Sequence, residues 1–279
     1  MNDIIRDAAK NGLLIAAHRG VAGGNIPCNS MASYETALVQ GADILEIDIT
    51  KSRDGELFVF HPGLEAAHLR SDKRITELTV PEVRQLRYCN GDGTATTQGV
   101  STLDEIFEAF GQRCFINLDK FWDNIADITA CVRLHKLQDR VIAKSFPADE
   151  CIDVLEQAAP DIPYLPFVWN EDDCTQDLLK RNIRLIGIEA HFGDDDSEVA
   201  SAEFLHKMHR QNLIVWANAI VFNYKTVESA GHTDDISVTG NPDAGWGWLA
   251  KRGFDILQTD WVLPMKSYLE KNGLMHQNR

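Results

Sequence analysis

Two acidic residues of this sequence stand in a pattern that suits the binding of a metal ion. Glu46 and Asp48 are two residues apart within the apolar run 44–49, so on a β-strand both side chains project from the same face. Two neighbouring carboxylates repel each other unless a cation lies between them. Because every donor atom is an oxygen, the pattern predicts a hard divalent ion, Mg²⁺ or Ca²⁺, rather than zinc.

The elements that must position these residues form a repeating pattern, in which a short apolar run is followed by an amphipathic stretch. Such runs are typical of strands buried on both faces of a parallel sheet, with helices between them. Eight or nine runs favour a closed TIM (β/α)8 barrel, whose reactive groups collect at the C-terminal ends of the strands. The runs are residues 13–17, 44–49, 57–60, 114–118, 141–143, 164–168, 185–188, 213–217 and 254–257.

Other reactive side chains occur where these predicted strands end. His18 and Arg19 follow the first run, His61 follows the third, and Asp119 and Lys144 lie at the ends of the next two. The chain is predicted to be a single domain, residues 1–279, with an insertion at about 62–100 after the second strand. A helix over residues 75–86 is expected within that insertion.

The overall composition excludes several classes of protein. Subtracting 42 acidic from 27 basic residues leaves a formal charge of −15, with a pI near 5.0, which disfavours nucleic acids and anionic membranes as partners. No run approaches the roughly 20 apolar residues of a membrane-spanning helix. The six cysteines form no CxxC pair. We therefore expect a cytoplasmic protein that acts on a small molecule, while the sequence leaves the oligomeric state open.

Several short motifs occur in an order and spacing that resemble those of the glycerophosphodiester phosphodiesterase family. The resemblance extends over about residues 13–269, is most specific in the first third, and implies a TIM barrel with a small insertion after the second strand. The motifs are His18-Arg19-Gly20, Pro27-x-Asn29-Ser30, Gly41-Ala42-x-x-x-Glu46-x-Asp48, Asp54-Gly55, His61, Leu78-Thr79-x-x-Glu82, Ser101-Thr102-Leu103-x-Glu105, Trp216 and Gly253-Phe254-Asp255-x-x-x-Thr259-Asp260.

The resemblance also implies roles for the reactive residues. Glu46 and Asp48 are expected to hold one divalent metal ion, with Asp119 as third ligand where family members usually carry Glu. His18 and His61 are expected to be the general acid and base, in an order that the sequence does not decide. A metal ion would offset the negative charge of a phosphodiester, while the imidazoles take and deliver protons.

The site departs from the family pattern in two respects, one at the phosphate and one beside a catalytic histidine. Arg19 is expected to clamp a phosphate oxygen, but Phe121 stands where family members commonly have Lys. Lys120 should point away on an ideal strand, so Lys144 is the candidate for the missing charge, although a surface lysine would explain it equally well. Pro62 replaces the Asp that often accompanies the catalytic His. These features resemble a divergent branch of the family.

The second half of the predicted barrel should shape the substrate pocket. Glu189 is expected to bind hydroxyl groups, with solvent exposure as the alternative, and Trp216 to pack over the substrate, with a core position as the alternative. Trp169, His191 and Asn218 are further candidates at strand ends.

Together these features predict a metal-dependent phosphodiesterase of lipid metabolism that cuts a small, soluble glycerol- or polyol-type phosphodiester into a phosphomonoester and an alcohol. One alternative is a sugar phosphodiesterase acting on agrocinopine-like opines. A lyase of the related sphingomyelinase D type and a non-catalytic sugar-phosphate sensor are the other two.

Overall fold

A closed barrel of eight parallel strands forms the centre of the molecule. The computed structural model describes residues 3–221, 226 and 228–275. β1 pairs with β2 on one side and with β10 on the other, which closes the barrel. The strands are β1 Leu14–Ala17, β2 Ile44–Lys51, β3 Leu57–Val59, β4 Phe115–Asp119, β5 Val141–Ser145, β6 Pro163–Trp169, β7 Arg184–Leu185, β8 Gly187–His191, β9 Ile214–Asn218 and β10 Ile256–Thr259.

Helices surround the barrel and follow most of its strands, as the alternation of apolar and amphipathic segments predicts. Within the described residues, none of these helices is both long and apolar enough to cross a membrane. They are α1 Ile4–Asn11, α2 Met31–Gln40, α3 Glu65–Leu69, α4 Val80–Val83, α5 Leu103–Phe110, α6 Ile125–Leu134, α7 Asp149–Ala158, α8 Thr175–Leu178, α9 Ala202–Arg210, α10 Asp234–Val238, α11 Trp246–Arg252 and α12 Val262–Lys271.

The inside of the barrel is apolar at its lower end and polar at its upper end. Ile44, Ile142, Ile214 and Ile256 belong to one buried cluster inside the barrel, together with Ile5 of α1. Two residues further along these strands, or four on β9, the inward positions carry charged and polar side chains. The alternation of a β-strand therefore brings those side chains together at the C-terminal ends of the strands.

The outward faces of the strands form a second, larger core with the helices. Leu45, Ile47 and Ile49 of β2 are fully buried there, as expected if Glu46 and Asp48 face the barrel interior. The predicted closed barrel is thus confirmed, and its strand phase determines which residues reach the cavity.

The insertion after β2 starts with a hairpin rather than with another barrel strand. β3 pairs antiparallel with β2, and the segment that follows packs into a small core of its own, which contains Phe58, Tyr88 and Val100. The expected single helix over residues 75–86 is wrong: a 3-10 turn, Ile75–Glu77, is followed by the separate short helix α4. Thr79 is extended and donates its backbone N–H and its hydroxyl to Glu82 at 2.8 and 2.7 Å, which starts the new helix.

Candidate active site

The turn after β1 places His18 and Arg19 beside the carboxylates of β2. Arg19 has a left-handed backbone, with φ of 54°, and its backbone N–H donates to Glu46 Oε2 at 2.7 Å. Gly20 has φ of 77°, and a Cβ on it would lie only 2.6 Å from Ser33 Oγ. The turn therefore needs a glycine here, for its backbone conformation and for the close approach of α2.

Three carboxylates form a cluster at the ends of β2 and β4. Glu46, Asp48 and Asp119 each offer an oxygen, and these oxygens lie within 4.8 Å of one another. Burial and the neighbouring charge of Asp48 raise the pKa of Glu46 to about 7. Asp48 Oδ1 is buried and accepts no hydrogen bond within the described part of the chain. An orphaned oxygen and mutual repulsion in an all-oxygen cluster fit a hard divalent cation.

The second oxygen of Asp48 is held by two donors. Arg19 Nε lies 2.9 Å from Asp48 Oδ2, and Asn29 Nδ2 donates to the same oxygen at 2.8 Å. Burial alone would raise the pKa of Asp48, but the charges of Arg19 and His61 outweigh it and lower this pKa. Asn29 is itself oriented by the Tyr34 hydroxyl at 2.7 Å. In the sequence Asn29 stood out only as part of a motif, and its hydrogen bond to Asp48 was not predicted.

The two histidines are each fixed through Nδ1, but by different partners. His18 Nδ1 pairs with Asp260 Oδ1 at 2.9 Å, and His61 Nδ1 lies 2.9 Å from the backbone oxygen of Pro62. Burial opposes the charge of His18, yet Asp260 and then Glu46 raise its pKa. Burial outweighs the nearby Asp48 and lowers the pKa of His61.

Lys120 does not point away from the site, contrary to the expectation for an ideal strand. β4 ends at Asp119, and Lys120 has a left-handed backbone with φ of 59°, which breaks the alternation. Its Nζ lies 2.9 Å from Asp119 Oδ2, and the side chain lines the cavity. Phe121 is buried in the outer core, so Lys120 supplies a positive charge close to the position that lacks the family's lysine.

The cavity beside the carboxylates has a volume of about 240 Å³ and extends to the second half of the barrel. Lys144 and Glu189 both line it, and Lys144 Nζ lies 2.5 Å from Glu189 Oε2. Lys144 is only 2% exposed, so it is not a surface lysine. Burial opposes the charge of Glu189, but the Lys144 ammonium outweighs it and lowers the pKa of Glu189.

Trp216 lies below the floor of this cavity rather than in its wall. The residue is fully buried in the apolar cluster inside the barrel, and Lys144 Nζ lies 3.2 Å from the centre of its ring. The expected packing of Trp216 over a substrate is therefore not observed. The indole supports Lys144 from beneath, because it occupies an inward position one layer below Asn218.

The chain matches known proteins in sequence over most of its length. The model of the glycerophosphoryl diester phosphodiesterase family matches residues 18–260. The chain belongs to this family. A glycerophosphodiester phosphodiesterase of Caldanaerobacter subterraneus is 27% identical over 153 residues, 52% of this chain and 63% of that protein. A lysophospholipase D of Rattus norvegicus is 30% identical over 53% of this chain and 50% of its own length. The chain thus matches about half to two thirds of these relatives.

Solved structures of glycerophosphodiester phosphodiesterases share the fold. The structure from Parabacteroides distasonis has a TM-score of 0.76 at 16% identity and covers 96% of this chain and 92% of its own. A phosphodiesterase from Oleispira antarctica, in complex with the product sn-glycerol-3-phosphate, has a TM-score of 0.68 at 19% identity, over 94% of this chain and 99% of its own. At these identities the likeness concerns the TIM barrel alone.

Within this glycerophosphodiester phosphodiesterase fold, most of the residues selected from the sequence lie around one cavity. His61 and Asp48 lie next to it, 3.9 Å apart between Nε2 and Oδ1. The sequence did not predict that Asp260 pairs with His18, although Asp260 is the last residue of the final family motif. The sequence did not point to Trp122, Phe146 and Phe167, and it placed Lys120 away from the site, yet all four line the cavity. The predicted residues in its walls are His18, Arg19, Glu46, Asp119, Lys144, Trp169, Glu189, His191 and Asn218.

Proposed function

We propose that the protein is a metal-dependent phosphodiesterase that hydrolyses small glycerol- or polyol-type phosphodiesters to a phosphomonoester and an alcohol. One observation carries this proposal: two histidines with fixed Nδ1 atoms flank a cluster of three carboxylates at one cavity. Glu46, Asp48 and Asp119 would hold one Mg²⁺ or Ca²⁺ ion. When bound, the ion would offset the charge of the diester and the additional charge of the transition state.

Three basic side chains add positive charge to the phosphate site. The Nε of Arg19 is engaged by Asp48, which leaves the terminal nitrogens of the guanidinium to bind non-bridging phosphate oxygens. Lys120, just after β4, and Lys144, on β5, line the same cavity. They offset carboxylates that would otherwise repel an anionic substrate.

The partners of Nδ1 support the following order of proton transfers. A carbonyl oxygen accepts only from a protonated Nδ1, so neutral His61 presents an unprotonated Nε2 and acts as the base. It takes a proton from the attacking water, whose oxygen forms the new bond to phosphorus. The carboxylate of Asp260 favours the charged form of His18, which acts as the acid. It protonates the alkoxide released when the other P–O bond breaks.

A vicinal hydroxyl of the substrate could replace water as the nucleophile. In that case a cyclic phosphate forms first and is hydrolysed in a second step, whereas a lyase of the sphingomyelinase D type would release it as product. The glycerol phosphate bound by the Oleispira antarctica relative supports a glycerol-type substrate.

We also propose that the protein is located in the reducing environment of the cytoplasm. All six of its cysteines are free thiols, which supports this location.

Phosphorus NMR tests this proposal. Purified protein with Mg²⁺ or Ca²⁺ should release glycerol phosphate from glycerophosphodiesters, and EDTA should abolish the release. H18A should lose turnover by about 10² or more, whereas H206A, which removes an exposed imidazole on α9, should retain it. EDTA-insensitive turnover, or full activity of H18A, would contradict the mechanism. Binding without any turnover would favour the sugar-phosphate sensor.

A further inference from the structure

One half of the cavity wall carries, beside Lys144, buried polar groups that the hydrolytic mechanism does not use. Lys144, Glu189, His191 and Asn218 are each at least 95% buried and all line the cavity. Asn218 Nδ2 donates to Glu189 Oε1 at 2.6 Å, and Asn218 Oδ1 accepts from Trp216 Nε1 at 2.9 Å. Glu189 and Asn218 are therefore held in place before any ligand binds.

Several polar atoms of this wall have no hydrogen-bond partner within the described residues. Neither ring nitrogen of His191 makes a hydrogen bond of good geometry, although Nε2 lies 3.2 Å from Glu189 Oε1 and Nδ1 lies 3.9 Å from Glu228 Oε1. Asn117 Oδ1, at the neighbouring wall of the cavity, is also buried and accepts none. Buried polar groups are normally paired. Donors and acceptors left open at a cavity are suited to a ligand that offers several hydroxyl groups.

Aromatic rings line the cavity above these polar groups. Trp169 stacks on His191 with 4.5 Å between ring centres, and Trp122, Phe146 and Phe167 lie within 6.1 Å of one another. Phe146 and Trp169 are 56% and 41% exposed, although both are large apolar side chains. Exposed aromatic faces at a cavity are typical of ligand contacts.

We propose that this wall is a polyol subsite, formed by Glu189, His191, Asn218, Trp122 and Trp169, which binds a cyclic polyol such as a sugar or cyclitol ring. The ring would be one of the two alcohol arms of the diester, so the inference rests on the proposed function and specifies its substrate class. A cyclic polyol offers hydroxyl groups to the buried polar atoms and a flat face of C–H groups to the indoles.

The charges at the polyol subsite disfavour a quaternary ammonium head group. Lys144 pairs with Glu189, and Lys120 Nζ lies 5.0 Å from the centre of the Trp122 ring. The chain's own ammonium groups thus occupy the positions beside Glu189 and beside the Trp122 indole where a cationic ligand would bind. The other carboxylate at this wall, Glu228, accepts from Asn218 Nδ2 at 3.1 Å, and burial raises its pKa, which disfavours its charged form. A neutral ring with hydroxyl groups meets no such repulsion.

The first test compares kcat/KM for glycerophosphoinositol and glycerophosphocholine. We expect glycerophosphoinositol to be preferred by about tenfold or more. W169A should lower this preference by about tenfold, because it removes the stacking face. L134A, which removes a side chain that is 74% exposed on α6, should leave the preference unchanged. Equal kcat/KM for both substrates, or an unaltered preference in W169A, would overturn the polyol subsite while leaving the phosphodiesterase activity intact.

The second test measures binding and does not depend on turnover. Saturation-transfer NMR with Ca²⁺ present should detect myo-inositol 1-phosphate binding more tightly than phosphocholine. H191F keeps a ring for Trp169 to stack on but removes both ring nitrogens. It should weaken the binding of myo-inositol 1-phosphate by about tenfold and leave the binding of phosphocholine unchanged. Such binding without turnover of any diester would reject the proposed function and support the subsite. Equal affinities for the two phosphates would reject the subsite.

Discussion

His18 and His61 have the same side chain but different partners at Nδ1. A carboxylate stabilises the imidazolium form of His18, whereas a backbone carbonyl fixes the tautomer of His61 without adding charge. Family members often have an Asp beside the second histidine, where this chain has Pro62. The backbone oxygen of Pro62 contacts His61 Nδ1 and orients the ring. The pKa of His18 is raised by Asp260 against the effect of burial, whereas burial lowers the pKa of His61, so the two rings differ in proton affinity.

Removing the carboxylate beside His18 should therefore impair the acid step. We expect D260N to lower kcat/KM by about 10² and to shift the alkaline limb of the pH–rate profile to lower pH. The shift has this sign because Asp260 raises the pKa of His18 against the effect of burial. The measurement is kcat/KM between pH 5 and 10.

The matched control is D195N, which removes the same group beside His232, where Asp195 Oδ1 lies 2.8 Å from Nε2. It should leave the profile unchanged, because Asp195 is not among the residues that line the cavity. An unchanged alkaline limb in D260N would show that His18 is not the acid.

Binding of the metal ion should compete with protonation of Glu46. Burial and Asp48 raise the pKa of Glu46 to about 7 in the metal-free protein, so below that pH an ion must displace a proton. We expect the apparent affinity for Ca²⁺ to rise by up to about tenfold per pH unit below 7 and to level off above it. Titration calorimetry at pH 6 and pH 8, in buffers of different ionisation enthalpy, measures both the affinity and the released proton.

The control is E46Q. In this variant Ca²⁺ binding should be much weaker and should release no proton from this site. Strong, pH-independent binding by the native chain would contradict the assignment of Glu46 as a metal ligand.

The sequence predicted residues at regular strand positions well, and failed where the backbone leaves the regular geometry. Glu46 and Asp48 follow directly from the two-residue period of β2. Lys120 does not, because its left-handed conformation turns the side chain into the cavity. Asn29 and Asp260 are close to their partners only after the chain has folded, with sequence separations of 19 and 242 residues. No local pattern reports such contacts.

At the scale of elements, the barrel was predictable because each of its strands is a short apolar run. β3 is equally apolar but pairs antiparallel with β2, since only a short turn separates the two strands. The helix expected over residues 75–86 was wrong because the capping pair Thr79 and Glu82 starts a new helix within it. The capping pair is present in the sequence, and its local hydrogen bonds override the hydrophobic spacing that favours one continuous helix.

The turn after β1 offers a test of how strongly an element depends on one glycine. G20A would place a Cβ 2.6 to 2.8 Å from three atoms of Ser33 and would impose a side chain at φ of 77°. We expect a loss of about 2–3 kcal/mol in the free energy of unfolding and a large loss of activity, because Arg19 is displaced. Urea denaturation measures the first effect.

G24A is the matched control in the same connection. Gly24 also has a positive φ, of 57°, but a Cβ there would meet no atom within 4 Å. G24A should lower the free energy of unfolding by only about 1 kcal/mol, because it adds backbone strain but no clash. Its activity should be preserved. Equal losses in the two variants would mean that contact with Ser33 does not matter.

At the scale of the whole molecule, the formal charge of −15 opposes the approach of an anionic diester. Salt screens this repulsion, with a Debye length of about 10 Å at 0.1 M. We therefore expect kcat/KM for anionic glycerophosphoinositol to rise between 20 and 200 mM NaCl. Glycerophosphocholine carries no net charge, so its kcat/KM should change less. A fall for the anionic substrate would mean that the local charge of Arg19, Lys120 and Lys144 dominates its approach.

The contact between His18 and Asp260 crosses the seam where β1 meets β10. The three carboxylates and His61 are contributed before residue 120, yet the partner of His18 is synthesised about 240 residues after it. A growing polypeptide on the ribosome therefore contains all three carboxylates and both histidines long before it contains the partner of His18. If the proposed acid step needs this contact, activity reports that the two ends of the barrel have met, and a chain that ends before β10 would be deficient in this step.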